Sequence, residues 1–190
     1  MTILVFGKTG QVATELSRLP HVLCLRRKDA DLMNPAACAE AIKSRRARAV
    51  INAAAYTNVD RAEAEEHIAC MVNSQSPKGI AQACADMDIP FVHISTDYVF
   101  DGLGRKPWAP ETRPNPQNAY GRTKLAGEVA IREVGGKFAI LRTSWVFSPK
   151  GENFVKSMLR LGATRDVLSV VSDQIPRRGS KQVRRCRLWQ

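Results

Sequence analysis

The chain opens Thr2-Ile3-Leu4-Val5-Phe6-Gly7-Lys8-Thr9-Gly10-Gln11-Val12-Ala13, and this stretch decides the fold. Thr2–Phe6 is an apolar run without alternation, the pattern of a strand buried on both faces of a parallel sheet. It passes directly into G-x-x-G-x-x-A, which opens a helix expected over about residues 10–19. Gly7 and Gly10 let the backbone come close to a dinucleotide pyrophosphate, whose charge then sits at the helix N-terminus beside Gln11 and Val12. The small Ala13 lets that helix approach the sheet. The same spacing also serves a tight strand–helix turn that holds no ligand. Its place directly after the first strand is what favours the ligand.

Working outward, short apolar runs alternate with longer helical segments. Thr2–Phe6, Val22–Leu25, Ala49–Asn52, Phe91–Ser95 and Phe138–Thr143 are expected strands. Helices are expected at about 10–19, 35–44, 60–87, 117–134 and 151–162. Strands alternating with helices imply βαβ units, so the expected class is α/β: a doubly wound, mostly parallel sheet of the Rossmann type. The segment 101–117 carries Gly102, Gly104, Pro107, Pro110, Pro114 and Pro116 and reads as a long loop, a kind of segment that is usually functional or mobile. No internal repeat is apparent.

Three further stretches lie where such a sheet binds ligands, outside the carboxyl ends of its strands. After Leu25 come Arg26-Arg27-Lys28. An acidic residue at this point would select NAD, whereas arginine accommodates the 2′-phosphate of NADP, so Arg26 and Arg27 are candidate phosphate contacts and NADPH is the expected cofactor. A solvated basic loop is the competing reading, and Asp29 and Asp31 close by also suit the adenosine half. The third strand ends in Asn52-Ala53-Ala54-Ala55-Tyr56-Thr57. Its small residues would let a flat cofactor lie against the backbone, although an alanine run also serves plain close packing.

The fourth strand ends in Ser95-Thr96-Asp97-Tyr98-Val99-Phe100, and Tyr120-Gly121-Arg122-Thr123-Lys124 begins a helical segment downstream. Tyr120 and Lys124 are four apart and project from one helix face. That spacing suits a tyrosine acting as general acid beside a fixed cation, whose charge is expected to lower the phenol pKa. Lys124 also has the reach to hydrogen-bond a nicotinamide ribose. The Thr96 hydroxyl would add a second donor to a substrate carbonyl. Y-x-x-x-K alone is common by chance; its order after a glycine turn and a Ser-Thr strand end makes it specific.

Composition sets the bounds. Hydrophobic residues make up 44% and charged residues 25% of 190, as in ordinary globular domains. No apolar run approaches the roughly 18 residues that would span a bilayer, and Met1–Gly7 lacks the basic region of a secretory signal. Cys24, Cys38, Cys70, Cys84 and Cys186 form no C-x-x-C pair, which argues against zinc or a disulfide framework and for a reducing cytoplasm. The net charge of +11 invites a nucleic-acid reading. However, six of those charges lie in residues 176–190, and without them the preceding 175 residues carry +5. The excess is a tail property, not a basic face, so nucleic acid is not the expected partner.

The ordered set Gly7–Ala13, Asn52–Thr57, Ser95–Phe100, Tyr120–Lys124 and Arg142-Thr143-Ser144-Trp145-Val146 resembles the extended short-chain dehydrogenases/reductases, and within them the dTDP-4-dehydrorhamnose reductase family. The S-T-D-Y-V-F and Y-G-x-T-K-x-x-G-E strings are the most specific, and the similarity covers about residues 1–175. The resemblance implies a catalytic triad of Thr96, Tyr120 and Lys124. It further implies cofactor contacts from Gly10-Gln11-Val12, Asp31-Leu32 and Ala55-Tyr56-Thr57, and substrate contacts from Thr96, Asp97 and Trp145. The implied reaction is NADPH-dependent (or NADH-dependent) reduction of the C4 ketone of a nucleotide sugar, dTDP-4-dehydro-L-rhamnose. Family members often form homodimers, sometimes with magnesium held by glutamates, and Glu15 matches one such position. The resemblance also implies a C-terminal domain that closes over the sugar, largely missing here. After Gln174 the sequence departs from the family pattern, so residues 176–190 read as an atypical, disordered basic tail from a frame-shifted or altered terminus, with a native basic tail that touches nucleic acid or membrane as the competing reading, and the shortened chain reads as a poor enzyme. A regulatory subunit of methionine adenosyltransferase shares this pattern, as do nucleotide-sugar epimerases and dehydratases; these are the alternative functions.

Overall fold

The structure is a computed structural model that describes residues 2–103, 107–165 and 167. The basic stretch 176–190 lies outside the described residues. Five strands form one sheet: β1 (Ile3–Phe6), β2 (Val22–Leu25), β3 (Ala49–Asn52), β4 (Phe91–Thr96) and β5 (Phe138–Thr143). Every pairing is parallel, and the order is β2-β1-β3-β4-β5. The expected Rossmann-like class is therefore the observed one. The chain first winds from β1 to one side and then to the other, so the order reverses between β1 and β3. There Phe6 is in register with Asn52, and the two carboxyl ends lie side by side.

Alternation along β1 explains how both faces are covered. Leu4 and Phe6 point into the larger core with Cys38 and Ile42 of α2 (Pro35–Ser44), Ile80 and Cys84 of α5 (Ser76–Asp86), and Ile131 of α6 (Ala119–Val134). Val5 points the other way, to Ala13 and Leu16 of the short α1 (Gln11–Leu16). Residues buried this fully contribute roughly 1.5–3 kcal/mol each through the hydrophobic effect. Asparagine starts four of the helices. The side chains of Asn34, Asn58, Asn118 and Asn153 accept from the backbone N–H three residues on, at α2, α3 (Val59–Ala64), α6 and α7 (Phe154–Gly162). Each such cap is worth about 1 kcal/mol.

The single helix expected over 60–87 is instead four pieces. α3 ends at Glu65, whose backbone leaves the helical region at φ −120°, ψ 36°. Then follow α4 (Glu66–Cys70), a five-residue π turn at Met71–Gln75, and α5. The Glu65 carboxylate accepts the Tyr56 hydroxyl at 2.8 Å and Arg61 Nε at 2.8 Å. The expected loop at 101–117 contains no helix or strand among its described residues. It is fastened to the sheet by Arg142 of β5, which donates to the Pro110 carbonyl at 3.3 Å and lies 4.9 Å from the Phe100 ring centroid. Phe100 in turn stacks on Trp108. No helix among the described residues is long and apolar enough to cross a membrane.

Candidate active site

The reversal of strand order opens a cleft of about 820 Å³ at the carboxyl edge of β1, β2 and β3. Its walls bring together Gly7, Arg26, Arg27, Asp31, Leu32, Ala54, Ala55, Tyr56 and Thr57, all singled out in the sequence. Gly7 sits at φ +106°, a conformation that favours glycine, and a Cβ there would meet Ala53 and Ala54 at 3.4 Å. The β1 and β3 turns thus pass each other backbone to backbone, and Ala53 lies beneath the cleft. Gly10 is the N-cap of α1 without any side-chain cap, so Gln11 and Val12 begin a helix whose first N–H groups meet no capping side chain.

Arg26 and Arg27 stand at the rim with side chains 52% and 77% exposed, although the Nε of each engages a carboxylate, Asp29 at 3.3 Å and Asp31 at 3.0 Å. Both carboxyls are held below their ordinary range, first by backbone N–H bonds, from Arg26 to Asp29 and from Met33 to Asp31, and then by the arginines. Two exposed guanidinium groups over a glycine-lined cradle fit a dinucleotide with an extra phosphate. Gln11 faces elsewhere: its amide donates to the Val146 and Glu152 carbonyls at 3.4 and 3.2 Å and accepts from Asn153 at 3.1 Å. It clasps the segment that follows β5. Glu15 is likewise committed, to Arg18 at 2.5 Å and to the Ser148 hydroxyl at 3.2 Å. Among the described residues no group of three His, Cys, Asp or Glu side chains is placed to hold a metal ion.

Thr96 ends β4, and the parallel register sets it against Thr143 at the end of β5. Two residues on, Trp145 adopts φ +53°, which turns the chain and sets its ring edge-on to Phe154 at 5.1 Å. Asp97 accepts the Thr96 hydroxyl at 3.3 Å, and burial raises its carboxyl pKa. Tyr120 stands in the first turn of α6 with the Thr96 side chain near enough to influence its phenol, and its ring packs edge-on against Tyr98 at 5.5 Å. The structure therefore gathers Thr96, Asp97, Tyr120 and Trp145 at one end of β4 and β5.

Lys124 shares the face of Tyr120 but turns inward. Only 1% exposed, it donates to the Ile94 carbonyl at 2.7 Å, with His93 Nε2 at 3.1 Å from its Nζ. The expected lowering of the Tyr120 pKa by this lysine is not what the structure gives. Burial raises the phenol, the Thr96 hydrogen bond opposes that, and Asp97 and Tyr98 add to the rise. The reason is steric economy of the helix: the i, i+4 spacing sets a shared face, but the nearest acceptor for Nζ lies below, on β4.

Sequence reasoning missed three supports. Asn73, in the π turn, brackets Tyr56 by accepting from its N–H at 2.9 Å and donating to its C=O at 3.1 Å, and also donates to Thr123 Oγ1 at 3.2 Å. Asn52 and His93 join beneath the sheet edge. Glu128, fully buried on α6, collects Arg142, Arg132 and Ser95. A polar side chain inside an apolar strand or helix was the available signal for each. A shallower groove of about 470 Å³, beside Arg122 and Glu133 on α6, contains none of the site residues.

A parallel sheet wound from a glycine turn, with threonine, tyrosine and lysine gathered along its carboxyl edge, places the chain in the Rossmann-like class. The chain belongs to the family described as "RmlD substrate binding domain", whose model matches residues 1–179. It is 44% identical over 182 residues to the dTDP-4-dehydrorhamnose reductase of Salmonella typhimurium, covering 92% of this chain and 61% of that protein. It is also 37% identical over 177 residues to a dTDP-4-keto-6-deoxy-D-glucose reductase of Streptomyces niveus, covering 90% and 62%. Among solved structures, a dTDP-4-dehydrorhamnose reductase of Bacillus anthracis in complex with NADP superposes with a TM-score of 0.83 at 34% identity, covering 87% and 61%. The chain thus spans about three-fifths of the length of the curated relatives it matches. These relatives are reductases by name, which gives the epimerase, dehydratase and regulatory-subunit alternatives no support.

Proposed function

We propose that this chain carries out the reduction of the C4 ketone of dTDP-4-dehydro-L-rhamnose, with NADPH, or NADH, as reductant and Tyr120 as proton donor. The observation that carries the reading is the gathering of Thr96, Asp97, Tyr120 and Trp145 at the carboxyl ends of β4 and β5, beside a cleft rimmed by Arg26 and Arg27. When bound, the dinucleotide supplies the hydride that adds to the carbonyl carbon. Gly7 and the N-terminus of α1 would hold its pyrophosphate, the arginines its 2′-phosphate, and Ala53–Thr57 the nicotinamide half.

Thr96, on turning its hydroxyl from Asp97, and Tyr120 would together offer two donors to the ketone oxygen, polarising it before attack and stabilising the alkoxide afterwards. The raised pKa of Tyr120 keeps the phenol protonated at neutral pH, and so loaded as a donor. Lys124 holds the floor of this corner and has the reach to bind a ribose hydroxyl. Asp97 and Trp145 would contact the sugar nucleotide.

The test is NADPH oxidation by the purified chain with and without the dTDP-4-keto sugar. Y120F is expected to bind NADPH nearly as wild type and to lose about 10²–10⁴-fold in turnover, the usual share of a general acid. Unchanged turnover would refute the assignment. The Streptomyces niveus relative is named for a different C4 ketone, so the same assay with that sugar decides the preference. The described cysteines are free thiols, which supports a reducing cytoplasm as the setting. Homodimerisation, implied by the family, is checked by sedimentation.

A further inference from the structure

His93 is a fully buried imidazole on β4 that the proposed reaction does not use. Each ring nitrogen has one partner: Nδ1 lies 3.2 Å from Asn52 Nδ2, and Nε2 lies 3.1 Å from Lys124 Nζ. The other end of the Asn52 amide fixes its orientation, because its Oδ1 accepts the Ala54 N–H at 3.1 Å. An amide bonded in this way turns its NH₂ towards His93. Nδ1 must then accept, and a neutral imidazole carries its proton on Nε2. Nε2–H donates to Lys124, and a nitrogen that accepts a hydrogen bond is an amine with a lone pair, not an ammonium. One amine hydrogen goes to the Ile94 carbonyl at 2.7 Å, which leaves one more to offer.

We propose that Asn52 and His93 are positioning residues whose arrangement in this structure pairs with the neutral amine of Lys124, and that Lys124 gains a proton only when the imidazole proton shifts from Nε2 to Nδ1 and Asn52 turns its oxygen to accept it. One proton enters from solvent at Nζ, while the imidazole ends with the number it began with. When Asn52 turns, the Ala54 N–H loses its acceptor. The charge on Lys124 is thereby tied to the backbone of the alanine run packed against Gly7. The functional meaning of this coupling rests on the role proposed above for Lys124, but the proton arrangement stands on hydrogen-bond direction alone.

Burial brings Lys124 down to about 8, with Glu128 opposing, so the amine arrangement prevails above that pH and the ammonium arrangement below it. Burial together with Lys124 drives His93 well below its ordinary range, which removes the imidazolium as an alternative. The other charged groups on the elements around α6 are engaged elsewhere. Glu128 is committed to Arg142 of β5 and to Arg132. Glu63 of α3 and Glu66 of α4 pair with Arg122. Asp97 bears on Tyr120, and Lys78 of α5 lines the outer groove. The π turn contributes Asn73, which is neutral.

The experiment is a nitrogen-15 and carbon-13 NMR titration of the 190-residue protein from pH 6 to 10.5, with His93 and Lys124 signals assigned by H93Q and K124M. Imidazole nitrogen shifts separate a protonated from a bare nitrogen, and the lysine Cε shift reports its charge. Expected is a protonated Nε2 at high pH that becomes bare, with Nδ1 protonated instead, in step with Lys124 ionisation and at one midpoint. A tautomer that stays fixed while Lys124 titrates, or a bare Nε2 throughout, overturns the proposal. N52D supplies a carboxylate that accepts from both Ala54 N–H and Nδ1–H, and so should keep Lys124 charged. Its midpoint should rise by at least about one pH unit, a tenfold gain in proton affinity; an unmoved midpoint overturns the proposal as well. The wild-type titration decides by itself if that variant does not fold. Because neither readout needs turnover, an inactive chain that shows the exchange sinks only the proposed reaction.

Discussion

Replacing Glu128 by glutamine tests how the sheet edge is held. The carboxylate is fully buried and receives Arg142 at 2.6, 2.9 and 3.2 Å, Arg132 at 3.1 Å and the Ser95 hydroxyl at 2.6 Å. Glutamine keeps the volume but has one acceptor oxygen, and its NH₂ must face a donor. Arg142, with a side chain only 15% exposed, would keep its charge and lose its counterion. Removing one partner of a buried pair costs about 3–5 kcal/mol. The half-exposed Arg132 adds at most about 1 kcal/mol. Against the roughly 5–15 kcal/mol of a typical domain, this is a large fraction. Equilibrium urea unfolding measures it, and a loss below about 1 kcal/mol would refute the reasoning. The double variant E128M R142M removes both charges and should recover most of the stability, which separates an uncompensated charge from lost packing. Burial pushes the Glu128 carboxyl up, but bonds from Arg142 and Ser95 more than offset this and hold it below its ordinary value. Its contribution is therefore complete above the unfolded value of roughly 4.3 and is lost as pH falls through the lowered one. The acid limb of stability should flatten in E128Q.

Gly127→Ala should destabilise the protein by about 1–3 kcal/mol in the same unfolding assay, although alanine is the better helix former, because a Cβ there would run into the Asn73 carbonyl oxygen. For Lys124, whose folded value near 8 lies below the unfolded one near 10.4, the unfolded chain binds the proton more tightly. Wild-type stability relative to K124M should accordingly rise between about pH 8 and 10.4, by on the order of 3 kcal/mol. Titration calorimetry of the R26A R27A variant should show NADPH binding weakened about 10–100-fold, in line with charged hydrogen bonds of roughly 1.5–3 kcal/mol, and NADH binding little changed.

Strand positions were legible because a parallel strand covered on both faces must be apolar throughout, and Leu4, Val5 and Phe6 are all fully buried. The glycine turn marked the start of α1 equally plainly. The break at Glu65 and the π turn were not legible, since neither glycine nor proline punctuates residues 60–76 and the partners of Asn73 lie 17 and 50 residues away. The candidate site was legible in its membership, from residue types at strand ends. Its internal wiring was not: helical spacing says that Tyr120 and Lys124 share a face, but only the packed sheet shows that Nζ finds Ile94 and His93. Likewise, the carbonyls that receive the Gln11 amide and the Ser148 hydroxyl that reaches Glu15 lie about 130 or more residues away in sequence.

The π turn at Met71–Gln75 makes chain length itself a specification. Each helical residue advances the azimuth by about 100°, so the extra residue in this wide turn acts as a phase shifter between two docked helices. Upstream, α4 and the bracket of Asn73 on Tyr56 set one angle; downstream, Ile80 and Cys84 must meet the sheet at another. Loss of a single residue here would be an error of timing rather than of chemistry, with every side chain intact and one of the two helices facing the wrong way.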